Sequence, residues 1–201
     1  NAKDDSLPQQ TQALKFDAAA FDALDAEIRS VLDPKDLITP DDVQGSYPTL
    51  RDAVLQHGWP TLTEARGKFI LALDEEGAKI ALYRGNRKSL EGRPMFVDAP
   101  EDSPAAAYLT LNEALTDTAH ITKDVKMGFL VRTRADADTV EARSNDVRRR
   151  DAALASGAQY VSTDYMQPDT RFSAYTARMP QGVIAACNPV RAAGKCSQPL
   201  E

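Results

Sequence analysis

GFLVRTRADADTVEARSNDVRRRDAALASGAQYVSTDY, residues 128–165, is the stretch whose reading decides the fold. It opens on an apolar run, Gly128-Phe-Leu-Val-Arg-Thr-Arg134, that ends in charge. It closes on a second run, Gln159-Tyr-Val-Ser-Thr-Asp-Tyr165, that also ends in polar groups. Between them the pattern predicts one helix over 139–156, started by Thr139 and Glu141 and stopped by Gly157. Arg148, Arg149 and Arg150 fall inside that helix, where a charge run reads as a solvated face. Strand, helix, strand in this order reads as a βα unit with parallel strands.

The same pattern appears upstream. Lys68-Phe-Ile-Leu-Ala-Leu-Asp74 is a near-continuous apolar run of the kind buried on both faces of a parallel sheet, and Pro94-Met-Phe-Val-Asp98 is a shorter copy. A helix is expected over 17–32, capped by Asp17, with Phe21, Leu24, Ile28 and Val31 at helical spacing. A second is expected over 49–57, stopped by Gly58. That makes four strands, with a possible fifth ending in residues 1–5, against the eight of a closed barrel. Residues 168–201 read as an irregular, proline-containing tail. The whole is expected to be one partial barrel domain over 1–201.

Composition narrows the partners. The chain has 201 residues and a net charge of −6, which disfavours nucleic acid. No apolar run approaches the ~18 residues needed to span a bilayer. There is no Gly-x-Ser-x-Gly elbow, no phosphate loop of the Walker type and no Cys-x-x-Cys. Cys187 and Cys196, nine positions apart, read as a disulfide in preference to two free thiols, which implies an oxidising compartment and a secreted or periplasmic protein.

Polar groups at strand C-termini are the candidate site, since chemistry in βα barrels gathers at that end. Arg132 and Arg134, two apart on one strand, point to one side and can clamp a phosphate with planar forks; rim salt bridges are the alternative. Asp164 can accept hydrogen bonds from ligand hydroxyls, and Tyr165 can stack on a ligand ring; a turn cap and a core tyrosine are the alternatives. Asp74 and Asp98 rank lower, because a strand-terminal Asp often caps the next helix. His57 precedes Gly58 at a helix C-terminus, where a helix-dipole contact is the expected role, and His120 lies in a polar stretch before Ile121.

Residues 126–165, KMGFLVRTRADADTVEARSNDVRRRDAALASGAQYVSTDY, resemble the bacterial Ca²⁺-dependent, phosphatidylinositol-specific phospholipase C-like proteins. The resemblance extends to HGWPTLTEARGKFILALD (57–74) and CNPVRAAGKC (187–196). It implies an α/β fold, the C-terminal part (about strands 4–8) of a TIM (β/α)₈ barrel. It also implies that the two catalytic histidines and most Ca²⁺ ligands lie on strands preceding Asn1, or that another copy of the chain completes the barrel. The family's Glu-x-Lys at the fourth strand end falls on Asn1 and Lys3. Lys3 is thereby expected near the substrate phosphate, and Asn1 stands where a Ca²⁺-ligating Glu would be; an amide oxygen can ligate but brings no charge. The implied function is a phosphoric diester hydrolase acting on a phosphoinositide or glycerophosphodiester, with this chain inactive alone. The alternatives are a non-catalytic half-barrel module and a glycerophosphodiester phosphodiesterase, to whose barrel the Ser-Thr-Asp-Tyr strand end is also similar.

Overall fold

The structure, a computed structural model, describes residues 8–9, 11–179, 182–194, 196 and 200. Asn1 and Lys3, and with them the candidate fifth strand end at 1–5, lie outside the described residues. The fold is mixed α/β with parallel strands in two sheets, and the chain divides into two compact units, Asn1–Leu109 and Thr110–Glu201.

The first unit opens with helix α1 (Ala18–Val31), where Asp17 accepts a hydrogen bond from the Ala20 N–H and so caps the first turn. After a 3₁₀ turn (Pro34–Asp36) come α2 (Pro40–Gln44), α3 (Leu50–Gln56) and α4 (Leu62–Ala65). Thr39, Thr49 and Thr61 cap these three helices, and the carboxylates of Asp42 and Glu64 close capping boxes on α2 and α4. Strand β1 (Leu71–Leu73) pairs in parallel with β2 (Met95–Val97), with α5 (Ala78–Arg84) between them. Isolated parallel bridges join Leu37 to Phe69 and Asp98 to Tyr108. Phe21, Leu50, Tyr83, Leu90 and Phe96 are fully buried in this unit.

The expected strand over 68–74 is shorter than its apolar run. Only Leu71–Leu73 joins the ladder, Phe69 remains 54% exposed, and Ile70, Leu71 and Ala72 are only partly buried. Burial on both faces therefore fails for β1. An apolar run records what a strand prefers to contact, not whether a covering layer is present.

The second unit begins within β3 (Tyr108–Thr110) and continues through α6 (Ala114–Met127), β4 (Leu130–Arg134), α7 (Val140–Ser144), α8 (Arg148–Ala155) and β5 (Tyr160–Ser162). Its sheet has the order β3-β4-β5, and β4 pairs in parallel with β5 in the register Arg132↔Tyr160, Thr133↔Val161, Arg134↔Ser162. Helices α6 and α8 pack on each other and on β4, and the Thr122 hydroxyl donates to the Ser156 carbonyl at 2.9 Å. Val131, Thr133 and Ala135 are fully buried, while the alternating Arg132 and Arg134 are half-buried.

The single helix expected over 139–156 is two. Asn145 sits at φ +52°, the left-handed conformation that Asn tolerates, and ends α7. Asp146 then accepts from the Arg148 N–H at 3.0 Å and opens α8. Apolar spacing alone carries no sign of this break.

No α-helix or strand follows Ser162 among the described residues. Cys187 and Cys196 form a disulfide. Its loop docks on the α8–β5 turn: the Asn188 amide donates to the Gly157 carbonyl at 2.7 Å, and Asn188 Oδ1 accepts from the Val190 and Arg191 N–H groups. Gly157 has φ +86°, and a Cβ there would lie 2.4 Å from Val190 Cγ2. Gly157→Ala is therefore expected to cost about 1–2 kcal/mol for the left-handed backbone alone. It should also lift the loop, read as faster proteolysis at Arg191. Unchanged urea stability with unchanged cleavage would remove the loop's proposed anchor.

Candidate functional site

The C-terminal ends of β4 and β5 lie on one edge of a parallel sheet, because the strands run the same way. Arg134 ends β4 with Asp136 just beyond it, Asp164 follows β5, and Arg132 lies in the middle of β4, in register with Tyr160 at the start of β5. Arg132 Nη1 donates to the side-chain carbonyl of Asn112 at 3.0 Å. Among the described residues Arg132 forms no ion pair with a carboxylate, so its charge is offset only by an amide dipole.

Arg134 differs. Its Nη2 lies 2.6 Å from Glu113 Oε1, and the other oxygen of Glu113 takes Arg149 Nη1 at 2.8 Å. Arg149 Nε in turn meets Glu141 Oε1 at 2.8 Å, and Nη1 also reaches the Asn112 carbonyl at 3.3 Å. Glu141 Oε2 accepts from the Ala137 N–H at 2.9 Å, which fixes the turn after β4. The result is a chain of alternating charge, Arg134–Glu113–Arg149–Glu141. Arg149 is therefore no solvated helix residue, as the sequence pattern suggested; its side chain is 14% exposed and holds two carboxylates. Arg150 donates to the Thr176 carbonyl and pairs with Asp151, so only Arg148 is on an exposed face, paired with Asp146.

Asp136 organises the other side of the edge. This buried carboxylate accepts from the Thr163 hydroxyl at 2.5 Å, from the Asp164 N–H at 2.9 Å and from the Tyr175 hydroxyl at 3.2 Å. The Tyr175 hydroxyl is shared with the Ala135 carbonyl at 2.9 Å. Burial, together with the charge of Asp136, pushes the Tyr175 phenol well above its ordinary range, so it stays a donor. Asp164 is exposed, its backbone held by Asp136. Tyr165 is buried, its ring edge-on to Tyr175 with centroids 5.8 Å apart, so its face is packed in the core.

Asp74 and Asp98 follow β1 and β2 in the first unit. His57 closes α3 and stacks on Tyr47 at 6.3 Å. His120 lies on α6, with Nε2 3.2 Å from the buried Asp124 carboxylate. Asn112, Glu113, Asp136 and Tyr175 were not singled out from sequence, and Glu141 and Arg149 were read only as a helix start and a solvated face, yet these six bond the groups around this edge.

The glutamates couple this edge to pH. Arg149 and Arg134 hold the Glu113 carboxyl below its ordinary value of 4.5. Burial alone would raise Glu141, but the Ala137 N–H and Arg149 outweigh it and hold it low as well. A depressed carboxylate contributes stability above its ordinary value, and that stability drains away as pH falls through the folded value. The thermal midpoint is therefore expected to drop between pH 5 and lower pH, and Glu141→Gln should flatten that slope while lowering the midpoint at pH 7. An equally steep acid slope in the variant would contradict this assignment.

Two comparisons return nothing: no curated protein and no solved structure matches the chain. A family model described as phosphoinositide phospholipase C, Ca²⁺-dependent, matches residues 1–189.

Proposed function

The chain belongs to the Ca²⁺-dependent phosphoinositide phospholipase C family, and from that premise we propose that it is the substrate-binding half of a phosphoric diester hydrolase built on a (β/α)₈ barrel. The observation that carries the proposal is Arg132. A guanidinium on a parallel strand, two residues before its C-terminal end, has only the Asn112 amide for a partner among the described residues. A planar fork of this kind suits two phosphate oxygens. Asp164, exposed on the same edge, is the acceptor for headgroup hydroxyls. Arg134 serves as a second, partly neutralised cation, and Tyr165 holds the loop from within the core. Lys3 is proposed as a further phosphate contact on the resemblance alone.

Proton transfer is assigned to histidines other than His57 and His120. One takes the proton from the hydroxyl neighbouring the phosphate; the other protonates the leaving alcohol. These are supplied by the remainder of the barrel, whether on the same polypeptide or another copy.

The family's Ca²⁺ needs several converging oxygen ligands. Among the described residues of either unit taken by itself, no three carboxylate or imidazole ligand atoms converge. Asp136 already accepts three hydrogen bonds. Asn1 lies outside the described residues, and no step here is routed through the ion. The Cys187–Cys196 disulfide supports a secreted or periplasmic location, and no helix of the described residues is long and apolar enough to cross a membrane.

Calorimetry with glycerophosphoinositol tests the reading. The 201-residue chain is expected to bind this soluble diester, and Arg132→Ala to weaken binding at least about tenfold, the loss of roughly one charge-assisted hydrogen bond. Arg132→Lys should recover only part of it. The chain alone should release no product from phosphatidylinositol with Ca²⁺. Turnover by the isolated chain, or binding indifferent to Arg132, would refute the assignment.

A further inference from the structure

We propose that Glu113 sets the charge selectivity of the Arg132 site, favouring a monoanionic phosphodiester over a dianionic phosphomonoester. The proposal rests on the reading of Arg132 as the phosphate contact and adds what that reading leaves open, namely which phosphate species the edge accepts. Three arginines converge on the segment that follows β3, but their charges are not equally available. Glu113 pairs with Arg134 at 2.6 Å and with Arg149 at 2.8 Å, and Glu141 pairs with Arg149 at 2.8 Å. Two cations and two anions cancel. Arg132, bonded to the neutral Asn112 side chain, is paired with no carboxylate among the described residues.

A phosphodiester carries a single negative charge, which the Arg132 fork can pair without help from a second cation. A phosphomonoester near neutral pH carries between one and a half and two, roughly. Its second charge would meet Glu113, whose carboxylate already occupies the fork that Arg134 would otherwise offer. Like charges brought together disfavour binding. Arg134 Nε is itself buried without a hydrogen-bond acceptor, a spare donor on the same guanidinium. Neutralising Glu113 would release the terminal nitrogens as well. Asp136 and Asp164 stand on the same edge and act in the same sense. Both are unchanged by a substitution at 113, so a change in the ratio of affinities isolates Glu113.

The enzymatic sense is direct. Hydrolysis of a diester releases an alcohol and a phosphate product with one more ionisable oxygen, or a cyclic diester that later opens to one. A site poised for one negative charge grips the substrate and releases the dianionic end product.

The test compares two probes sharing a headgroup, glycerophosphoinositol as diester and inositol 1-phosphate as monoester, on the 201-residue chain at pH 7.5. Wild type is expected to bind the diester more tightly. Glu113→Gln should strengthen monoester binding about tenfold while moving diester affinity less than threefold, and Glu113→Asp, which keeps the charge, should retain the wild-type ratio. A second measurement needs no variant. The monoester loses its second charge below a pKa of about 6, so on wild type its affinity relative to the diester should rise between pH 7.5 and 5.5. A ratio unmoved by Glu113→Gln, or flat across that pH range, overturns the role of Glu113. If wild type binds neither probe, or Arg132→Ala leaves both affinities intact, the phosphate site itself falls, a distinguishable result.

Discussion

Arg93→Ala is expected to destabilise the first unit by about 3–5 kcal/mol, the cost of leaving a buried charge without its partner. Arg93 is 5% exposed and lies between two carboxylates of α1: Nη1 is 2.7 Å from Asp25 Oδ2 and 2.7 Å from Asp22 Oδ1. Asp25 is 7% exposed and accepts from the Tyr83 hydroxyl of α5 at 2.9 Å. That hydroxyl accepts in turn from the Met95 N–H at 3.2 Å, at the first residue of β2. The guanidinium carbon also sits 4.5 Å from the Tyr83 ring centroid, a cation–π contact. One triad thus ties α1, α5 and β2 together. Burial works against the guanidinium's charge, but the hydrogen bonds to Asp25 and Asp22 more than offset it and raise its pKa. Asp25→Ala should cost less, near the lower limit, because Asp22 keeps one bond to Arg93. Replacing both partners, Arg93→Met with Asp25→Leu, should recover much of the loss, since a buried pair exchanged for apolar side chains is often neutral. Urea unfolding of Arg93→Ala, Asp25→Ala and the double Arg93→Ala with Asp25→Ala gives the coupling energy; a coupling below about 0.5 kcal/mol would show that the pair does not hold α1.

This triad explains why the helices were easier to read than their docking. Asp17, with Phe21 and Ile28 at helical spacing, marks α1 in sequence, and the helix appears with that cap. Asp25 sits one turn after Phe21, and it is Tyr83 and Arg93, 58 and 68 positions away, that make a buried carboxylate tolerable there. The same limit governed the site. Arg132 and Arg134 were legible because a strand alternates, and two residues on one face must share it. Which of them keeps its charge was not legible, because Asn112 and Glu113 lie about twenty positions upstream. They follow β3, a strand hidden in the Ala-rich run 105–107 and the short Tyr-Leu-Thr segment. Three residues carry too little periodicity to separate strand from helix. Arg149 looked like one of three solvated arginines until α7 and α8 parted at Asn145 and let it reach Glu113 and Glu141.

The second large effect is expected at Asp136. Its carboxylate receives three hydrogen bonds in a buried setting, from Thr163, Asp164 and Tyr175, and no cation bonds to it among the described residues. Asp136→Ala leaves the Asp164 N–H and the Thr163 hydroxyl without their acceptor, while Tyr175 keeps only the Ala135 carbonyl. Buried donors stripped of a partner cost about 1–3 kcal/mol each, and the vacated volume adds to that, so a loss of about 3 kcal/mol in the second unit is expected. The consequence for binding should exceed that of an equally destabilising change elsewhere. Asp136 fixes the backbone of Asp164 directly and that of Tyr165 through the Thr163 hydroxyl, which accepts from the Tyr165 N–H at 2.9 Å. Loosening it moves the headgroup acceptor relative to Arg132. Asp136→Asn separates the two roles. It preserves shape and one acceptor oxygen, but it presents an amide donor where three donors already point. Stability should therefore fall in the order wild type, Asn, Ala, with diester affinity following the same order at 15 °C, where all three remain folded. Ala135→Gly, a neighbouring loss of a fully buried methyl group that leaves the carboxylate in place, provides the comparison. If it lowers stability yet leaves affinity intact while Asp136→Asn loses affinity, the carboxylate sets the site's geometry; equal losses of affinity in both would reduce Asp136 to a packing residue.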